Sequence, residues 1–577
     1  MKDTQKISVL ATSDIHGKLY PWDYVQKEED LSGSMMQLAS AVKELYDPKN
    51  MLLVDAGDTI QDNYAELFLQ DDANPLMTAL NEMGYELWTT GNHEYDFGMD
   101  IVKKTIATFK GHVVLGNVFD SEGQRIAEPY AIFEKEGIRI AVVSMVTPLI
   151  KRWEGSRMDG YDVTDPIEET RKILKELEGK YDFLLGVHHM GIKDELKVNG
   201  SGMESYLPHF PQFDAMVSSH EHELIVDQEI NGVLTVQNLN NAVTMIRLDF
   251  ELERTEDGWK VIGKNSEYIA INEYQPDADF MKRYLPCHER LLEDTSSVIG
   301  ELVQESLAEE NEIAVIPTPQ IKPTPLLSLI NRVIRYYSGA PVSCAVLCKN
   351  GINIHPGSIT KSDAASMFIF NNSLNRVRMN GKQLKRYMEW SVSYYNTWHK
   401  GDLTISFDKD SHVFSLDIFS GIHYEVNLAK EVNHRIENLT WPDGTPIKED
   451  DEFDMAINGY RYGGCFTSYG EVFTEKEGLP KLIEMDVRSE LGGIQGMIND
   501  YIENVLHGKI IPENENNWRI TGTAWNEELH QKAVELIRNG GIDIGVLRDG
   551  VNPNGRSLTE KEVCAILGTK PEHINQE

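Results

Sequence analysis

Short apolar runs alternate with longer amphipathic segments through the first 270 residues of the chain. The apolar runs have the length of strands that are buried on both faces: Ile7–Ala11, Met51–Val54, Leu87–Thr90, Phe183–Val187 and Ala215–Ser218. The amphipathic segments repeat apolar residues at helical spacing: Met35–Tyr46, Pro75–Met83, Met99–Phe109 and Pro166–Leu177. This alternation predicts a layered α/β fold or αββα sandwich.

Each apolar run is followed by a cluster of Asp, His or Asn. In chain order the clusters are Asp14-Ile15-His16-Gly17, Gly57-Asp58, Gly91-Asn92-His93-Glu94, His188-His189-Met190-Gly191 and His220-Glu221-His222. Taken singly, each is also explained by turn-forming residues or a structural histidine. The loops that follow parallel strands gather at one edge of a sheet, so these clusters are expected to lie close together. Seven of their Asp, Asn and His side chains can complete the coordination of two metal ions if one carboxylate binds both ions. All five clusters together therefore predict a two-metal centre suited to phosphoester cleavage.

The pattern changes after residue 270, where an amphipathic helix is expected. Closely spaced prolines disrupt helices and central strands, so the cluster Pro317, Pro319, Pro323 and Pro325 is expected in a surface connection. We divide the chain into a first domain at 1–270, a linking helix at 271–295, a second domain at 296–525 and a tail at 526–577.

The second domain mixes helical and strand-like patterns. Helices are predicted at Leu326–Tyr337 and Gly381–Tyr395, and strands at Leu374–Met379, His412–Phe419 and Glu452–Asn458. The tail has two helical patterns, Glu527–Arg538 and Thr559–Leu567, and no chemical motif. Packing or oligomerisation is the expected role of the tail.

Composition excludes several classes of protein. A net charge of −37 argues against binding a long nucleic acid, which needs a basic surface, but leaves small phosphate esters open. No apolar stretch approaches the roughly 18 residues of a membrane helix, and the N-terminus lacks a secretory signal. The chain as written is expected in the cytoplasm, or outside it if a signal was removed.

Cys344 and Cys348 lie in an apolar run and are expected to be buried thiols.

The N-terminal clusters resemble those of the calcineurin-like metallophosphoesterases. Over residues 5–525 the chain resembles the 5′-nucleotidase family, and most closely its 2′,3′-cyclic-nucleotide 2′-phosphodiesterase/3′-nucleotidases. The motifs are Thr12-Ser13-Asp14-Ile15-His16 with Trp22-Asp23-Tyr24, Phe370-Asn371-Asn372-Ser373-Leu374, Asn458-Gly459-Tyr460-Arg461-Tyr462-Gly463-Gly464 and Asn516-Asn517-Trp518-Arg519. The resemblance implies an αββα metallophosphoesterase domain followed by an α+β substrate-binding domain.

The resemblance also implies the ligands of each cation. One ion would be held by Asp14, His16, Asp58 and His222, and the other by Asp58, Asn92, His189 and His220, with Asp58 bridging. Oxygen and imidazole ligands suit Mn, Zn, Fe or Co better than Mg. His188 and His189 point to opposite faces of a strand, and the family pattern His-x-Gly selects His189 as the ligand.

Catalytic and substrate-binding roles follow from the same resemblance. It implies that His93, oriented by Asp96, contacts the phosphate or leaving group. It places Phe370 and Tyr460 around the nucleotide base, with Tyr460 expected in a flexible loop, and gives Asn92 and Asn350 contacts to substrate. The segment Lys349-Asn350-Gly351-Ile352-Asn353 lacks the arginine that 5′-nucleotidases have there, which favours a cyclic or 3′-nucleotide.

The function predicted from sequence is metal-dependent hydrolysis of 2′,3′-cyclic nucleotides to 3′-nucleotides, and then to nucleoside and phosphate. The substrate is thus a small nucleotide, and the oligomeric state is left open. Alternative substrates are 5′-nucleotides or nucleotide-sugars, and sulfur compounds rank behind them. A nucleotide-binding scaffold without catalysis is the non-enzyme alternative, which the presence of every expected ligand disfavours.

Overall fold

The computed structural model describes residues 3–195, 198–256, 258–370, 372–409, 411–488, 491–542, 544 and 555–568. The chain divides into two compact units, residues 1–294 and 295–577, each with its own hydrophobic core. Among the helices in these ranges, none has the length and apolar character needed to cross a membrane.

The first unit contains both strands and helices throughout its length. The strands are β1 (Thr4–Thr12), β2 (Trp22–Asp23), β3 (Glu28–Glu29), β4 (Met51–Asp55), β5 (Leu87–Trp88), β6 (His112–Val113), β7 (Val118–Asp120), β8 (Tyr130–Lys135), β9 (Ile138–Val143), β10 (Tyr161–Val163), β11 (Phe183–Val187), β12 (Ala215–Ser218), β13 (Ile225–Ile230), β14 (Val233–Gln237), β15 (Thr244–Thr255) and β16 (Gly258–Ala270). The helices are α1 (Met35–Leu45), α2 (Pro75–Met83), α3 (Met99–Thr108), α4 (Ile150–Glu154), α5 (Pro166–Leu177), α6 (Met203–Tyr206) and α7 (Ala278–Thr295).

Two six-stranded sheets form the centre of this unit. One has the order β16-β15-β1-β4-β5-β6 and the other β13-β14-β12-β11-β9-β8. Each sheet contains four adjacent parallel strands, namely β1, β4, β5 and β6 in the first and β9, β11, β12 and β14 in the second. The carboxyl ends of parallel strands share an edge, so their following loops gather there.

Alternate residues of the central strands face different layers. Val9 of β1 and Val187 of β11 belong to the core between the sheets, whereas Leu10 packs with α1 and α2 on the outside. On the other outer face, α5 packs against β9 and β11 through Ile173 and Leu177. Burial on both faces explains the uninterrupted apolar runs, and the predicted αββα sandwich is confirmed.

The second unit is an α+β domain. Its strands are β17 (Val298–Leu302), β18 (Val342–Val346), β19 (Gly357–Thr360), β20 (Leu374–Asn380), β21 (Asp417–Ser420), β22 (His423–Asn427), β23 (Ile436–Thr440), β24 (Glu452–Asn458), β25 (Lys481–Glu484), β26 (Lys509–Ile510) and β27 (Trp518–Thr521). Its helices are α8 (Pro325–Ser338), α9 (Lys361–Met367), α10 (Gly381–Ser391), α11 (Gly459–Cys465), α12 (Gly493–Asp500), α13 (Glu527–Arg538) and α14 (Glu560–Leu567). The main sheet has the order β21-β18-β24-β20-β25.

The expectation of a surface connection at the proline cluster is wrong for Pro317 and Pro319. Both are buried, next to a core that includes Ile313 and Ile316. Proline needs no partner for a backbone N–H, so a proline-rich segment can cross a core without leaving donors unsatisfied. Pro325 instead starts α8, where proline is favoured.

Two other local expectations are also corrected. The predicted strand His412–Phe419 begins only at Asp417, after a 3₁₀ turn at Val413–Ser415. Tyr460 lies in the first turn of α11 rather than in a loop, because the Asn458 side chain accepts a hydrogen bond from the Arg461 amide at 2.8 Å and caps the helix.

The described part of the tail packs into the second unit. Ala533 and Val534 of α13 and Val563 of α14 are buried in its core. His530 lies within hydrogen-bonding distance of the Leu403 carbonyl, at 2.6 Å. The tail helices thus contribute to the core of this domain.

Candidate metal centre

The seven predicted metal ligands all lie in loops after strands of the first unit. Five of them adopt left-handed backbone conformations, which are costly for residues other than glycine: Asp14 (φ 52°), His16 (φ 47°), Asp58 (φ 56°), His220 (φ 80°) and His222 (φ 57°). Such strain clusters at functional sites, where the surrounding fold holds side chains in fixed positions. Here it turns the chain sharply after the strands.

Asp14, His16 and His222 form one group of converging donor atoms, all within 4.8 Å of one another. Nε2 of His16 lies 3.0 Å from Nε2 of His222, which lies 3.5 Å from Oδ1 of Asp14. Two imidazole nitrogens this close, beside a carboxylate, form a donor set that could hold a cation.

Asp58, His189 and His220 form a second group, whose donor atoms also all lie within 4.8 Å of one another. Nε2 of His189 lies 3.0 Å from Oδ2 of Asp58 and 3.1 Å from Oδ1 of Asn92. Nδ1 of His189 lies 2.7 Å from the Ala56 carbonyl, to which it can donate, and this leaves Nε2 directed at the group.

Asp58 is shared by the two groups. Its Oδ2 lies 3.9 Å from Nε2 of His16 and 3.0 Å from Nε2 of His189. This oxygen is buried and accepts no hydrogen bond from any residue that the structure describes. A buried acceptor without a donor costs free energy, and a cation between the groups would satisfy it. The residues therefore fit the bridged two-metal centre that the sequence implies.

His93 and Asp96 form a pair beside this centre. Nδ1 of His93 lies 2.9 Å from Oδ2 of Asp96, and the His93 amide donates to Oδ1 of Asp58 at 2.9 Å. Burial opposes protonation of His93, but the charges of Asp96 and Asp58 outweigh it and raise its pKa well above the usual range. The two carboxylates thus favour the protonated form of His93, in which Nε2 can donate a hydrogen bond.

His188 lies on the opposite face of the strand end from His189. It is buried, and its Nε2 lies 2.8 Å from the Tyr206 hydroxyl. Burial lowers the pKa of His188 to about 3, so it is a neutral core residue.

The glycines of the motifs make room for acidic side chains. A Cβ on Gly91 would lie 2.0 Å from Oδ1 of Asp58, and one on Gly191 would lie 2.4 Å from Cδ of Glu221. Any larger residue would push these carboxylates aside.

Glu94 belongs to one of the predicted clusters, but its role in positioning the site was not predicted. It is fully buried, and its carboxylate accepts four backbone N–H groups from two loops: Asp58 (3.0 Å), Thr59 (2.7 Å), Ile60 (3.3 Å) and Gly91 (2.6 Å). Burial raises its pKa to about 7, against the hydrogen bonds from Thr59 and Gly91. Glu94 thus fixes the loop of Asp58 to the loop of Asn92 and His93. An acidic residue next to an Asn-His pair was the available signal.

Replacing Glu94 with Gln is expected to lower the free energy of unfolding by about 3 kcal/mol, because an amide NH₂ would face backbone donors. Urea denaturation monitored by circular dichroism measures this change. The exposed Glu44 on α1 offers a matched control, Glu44→Gln, with an expected change below about 0.5 kcal/mol. Equal stability of the two variants would show that Glu94 does not join the loops.

Trp153 and Glu195 surround His220 and were also missed. The indole of Trp153 stacks on the imidazole with ring centroids 5.6 Å apart, and Oε1 of Glu195 lies 3.1 Å from Nε2 of His220. A carboxylate at Nε2 favours a proton there, which leaves Nδ1 as the atom able to bind a cation. Neither residue belongs to a motif, so the sequence offered no signal.

Phe370 and Tyr460 share one aromatic neighbour in the second unit. The Phe370 ring is half-buried, the Tyr460 side chain is 64% exposed, and both contact the ring of Phe414. Both polar atoms of Asn350 are engaged, its Oδ1 with Asn311 and its Nδ2 with the Ala314 carbonyl, each at 2.8 Å. The neighbouring motif residue Asn371 lies outside the described residues.

Comparison with known families identifies two domains in the chain. The calcineurin-like phosphoesterase profile matches residues 7–224, which contain every predicted metal ligand. The 5′-nucleotidase C-terminal domain profile matches residues 298–472. The chain therefore joins a calcineurin-like phosphoesterase domain to a 5′-nucleotidase C-terminal domain. A divalent metal centre is a property of this family, and the enzyme is a phosphoric ester hydrolase.

Two relatives of known name align with most of this chain. It is 23% identical over 89% of its length to the trifunctional nucleotide phosphoesterase protein YfkN of Bacillus subtilis, and covers 39% of that longer protein. It is 24% identical over 92% of its length to a 2′,3′-cyclic-nucleotide 2′-phosphodiesterase/3′-nucleotidase of Haemophilus influenzae, covering 89% of it. A Staphylococcus aureus protein of proposed 5′-nucleotidase activity, whose structure was solved with α-ketoglutarate, shares the fold with a TM-score of 0.72. The two sequences are 17% identical, and the superposition covers 90% of this chain and 100% of that one.

Proposed function

We propose that the enzyme uses two divalent cations to open 2′,3′-cyclic nucleotides to 3′-nucleotides, and then releases phosphate from these. The observation that supports this most directly is Oδ2 of Asp58, which is buried, accepts no hydrogen bond from the described residues and faces both groups of ligating side chains.

The ligands divide into two sets that share Asp58. One cation would be held by Asp14, His16, Asp58 and His222, and the other by Asp58, Asn92, His189 and His220. When bound, the cations supply charge to the phosphoryl oxygens and lower the pKa of the attacking water. The imidazole-rich ligand set favours Mn, Zn, Fe or Co.

His93 would act on the leaving oxygen. Its Nδ1 is paired with Asp96, so Nε2 of the imidazolium can donate a proton to the oxygen that departs. In the first step water attacks phosphorus and gives up a proton, the bond from phosphorus to the 2′ oxygen breaks, and that oxygen takes up the proton of His93. The proton lost by the water restores the one on His93. In the second step the bond to the 3′ oxygen breaks in the same way and gives nucleoside and phosphate.

The second unit would bind the nucleoside. Phe370 and Tyr460 present aromatic faces on which a base can stack, with little selectivity among bases. Asn350 would support substrate binding indirectly, by holding its loop in place, because both of its polar side-chain atoms are hydrogen-bonded to Asn311 and Ala314. Asn92 would contact substrate from the metal centre.

The choice of a cyclic or 3′-nucleotide rests on the loop at residues 349–353, which lacks the arginine that 5′-nucleotidases have there to grip their substrate. The Haemophilus influenzae relative, whose name states this activity, aligns with 92% of the chain. Hydrolysis of 5′-nucleotides is the second candidate, because the C-terminal domain matches the 5′-nucleotidase profile.

A panel of adenosine 2′,3′-cyclic phosphate, 3′-AMP and 5′-AMP tests the proposal with Mn²⁺-loaded enzyme, with products separated by chromatography. We expect kcat/KM for the first two to exceed that for 5′-AMP by about tenfold or more. Chelation should abolish turnover of all three, and added Mn²⁺ should restore it. Faster cleavage of 5′-AMP would replace the proposal by its alternative, and turnover after complete metal removal would contradict the two-metal mechanism.

A further inference from the structure

Glu195 places an unneutralised carboxylate beside the metal centre. Its Oε1 lies 3.1 Å from Nε2 of His220, and its Oε2 is buried and accepts no hydrogen bond from any residue that the structure describes. Within the described ranges, no lysine or arginine pairs with this carboxylate. A buried carboxylate oxygen without a donor or a positive charge nearby costs free energy, and a neighbouring cation would offset that cost.

The backbone around Glu195 holds its side chain in this position. Its amide donates to Oγ of Ser201 at 2.9 Å, and its carbonyl accepts the Val198 amide at 2.9 Å. The side chain of the preceding Asp194 accepts a hydrogen bond from the Gly202 amide at 3.0 Å. These bonds close the loop on itself, so the fold places the carboxylate beside the imidazole.

The two proposed ligand sets differ in charge. One contains two carboxylates, Asp14 and the shared Asp58. The other contains only the shared carboxylate, because its amide ligand Asn92 is neutral. The second cation would thus be held by one negative charge fewer than the first, and Glu195 lies where it can supply that charge.

The partners of the imidazoles show the opposite difference in charge. Nδ1 of His16 lies 2.9 Å from the neutral amide oxygen of Gln61, whereas Nε2 of His220 faces the Glu195 carboxylate. A hydrogen bond to a charged acceptor is roughly twice as strong as one to a neutral acceptor, and it makes the imidazole a better ligand with a fixed ring plane. The half-buried Trp153 stacks on the same imidazole, with ring centroids 5.6 Å apart, and excludes water from one face.

We propose that Glu195 retains the second cation of the centre, because it orients His220 and supplies the outer negative charge that this ligand set lacks. This role rests on the two-cation centre of the proposed function. Glu195 is a positioning residue, since it accepts the hydrogen of Nε2 and leaves Nδ1 of the imidazole for the cation. Removing its charge should therefore weaken one cation site and spare the other.

Calorimetric titration of Mn²⁺ into the full-length protein, after chelation of its metals, measures the binding of each cation. The wild type should bind two equivalents. Glu195→Gln keeps the size of the side chain and removes its charge, so it should raise the Kd of one equivalent by about 10–100-fold and leave the other within about twofold. Electron paramagnetic resonance provides a second readout, because two neighbouring Mn²⁺ ions couple magnetically and a single ion does not.

Two further variants control for charge and for folding. Glu195→Asp keeps the carboxylate and should lose less affinity than Glu195→Gln. Glu204→Gln removes an exposed carboxylate of the nearby helix α6 and should bind both cations as the wild type does. The metal-free proteins should share one melting temperature, whereas saturating Mn²⁺ should stabilise Glu195→Gln less than the wild type.

The outcomes separate this role from the proposed function. A wild type with two cations and a Glu195→Gln variant that binds both with unchanged affinity would overturn the role of Glu195 and leave the two-metal centre intact. A Glu195→Asp variant that binds no better than Glu195→Gln would overturn the role of the charge. A wild type that binds fewer than two cations would contradict the proposed function itself.

Discussion

Replacing Asp58 with Asn is expected to lower kcat for all phosphoesters by about 10³-fold and to release both cations. Burial opposes ionisation of Asp58, but the charges of His189 and His93 outweigh it and hold its pKa well below the usual range. Asparagine keeps the shape of the side chain and removes the charge that both cations would share. It also tolerates the left-handed backbone at this position (φ 56°), so the fold should be preserved.

Elemental analysis of the purified variant, together with its turnover, measures this effect. We expect two metal equivalents per chain for the wild type and fewer than one for Asp58→Asn. The control Asp162→Asn changes an aspartate whose side chain is 61% exposed and pairs with Lys151, and should keep both metals. A variant of Asp58 with two tightly bound metals and near-normal turnover would contradict the bridging role.

Replacing His93 with Asn is expected to lower kcat by about 10²–10⁴-fold while leaving the metals bound. The imidazolium is held by Asp96 through Nδ1, and its amide, which the substitution retains, donates to Asp58. The variant therefore loses the proton donor and its charge but keeps the backbone contact that supports the bridging carboxylate.

Asp96→Asn serves as the graded comparison for this variant, because it weakens the orientation of His93 without removing the imidazole. Its loss of kcat should be smaller, and its metal content should equal that of the wild type. Metal analysis again decides: a His93→Asn enzyme that has lost a cation would show that His93 is a ligand, and the leaving-group role would be wrong.

The elements near the metal centre were predictable because their signals are local. The strands β1, β4, β11 and β12 are continuous apolar runs, since two layers cover both of their faces. Helices α2 and α5 have capping Asn74 and Asp165 followed by proline, a pattern readable within a few residues. The predicted strand at 412–419 is wrong in its first part because a partner distant in sequence intervenes. Arg461 donates a hydrogen bond to the Phe414 carbonyl, which therefore does not join a sheet.

The sequence by itself determined the layered fold of the first domain, the position of each polar cluster after a strand, and the kinds of ligand available there. Only the tertiary structure decided which atoms meet. His16 and His222 are 206 positions apart, yet their nitrogens lie 3.0 Å from each other, and one oxygen of Asp58 faces both ligand groups. It also decided the partners of the site, such as the four amides on Glu94 and the ring of Phe414 against Tyr460. The physical reason is that periodicity records what each residue buries locally, whereas hydrogen bonds and ring contacts depend on distances between segments that only the folded chain brings together.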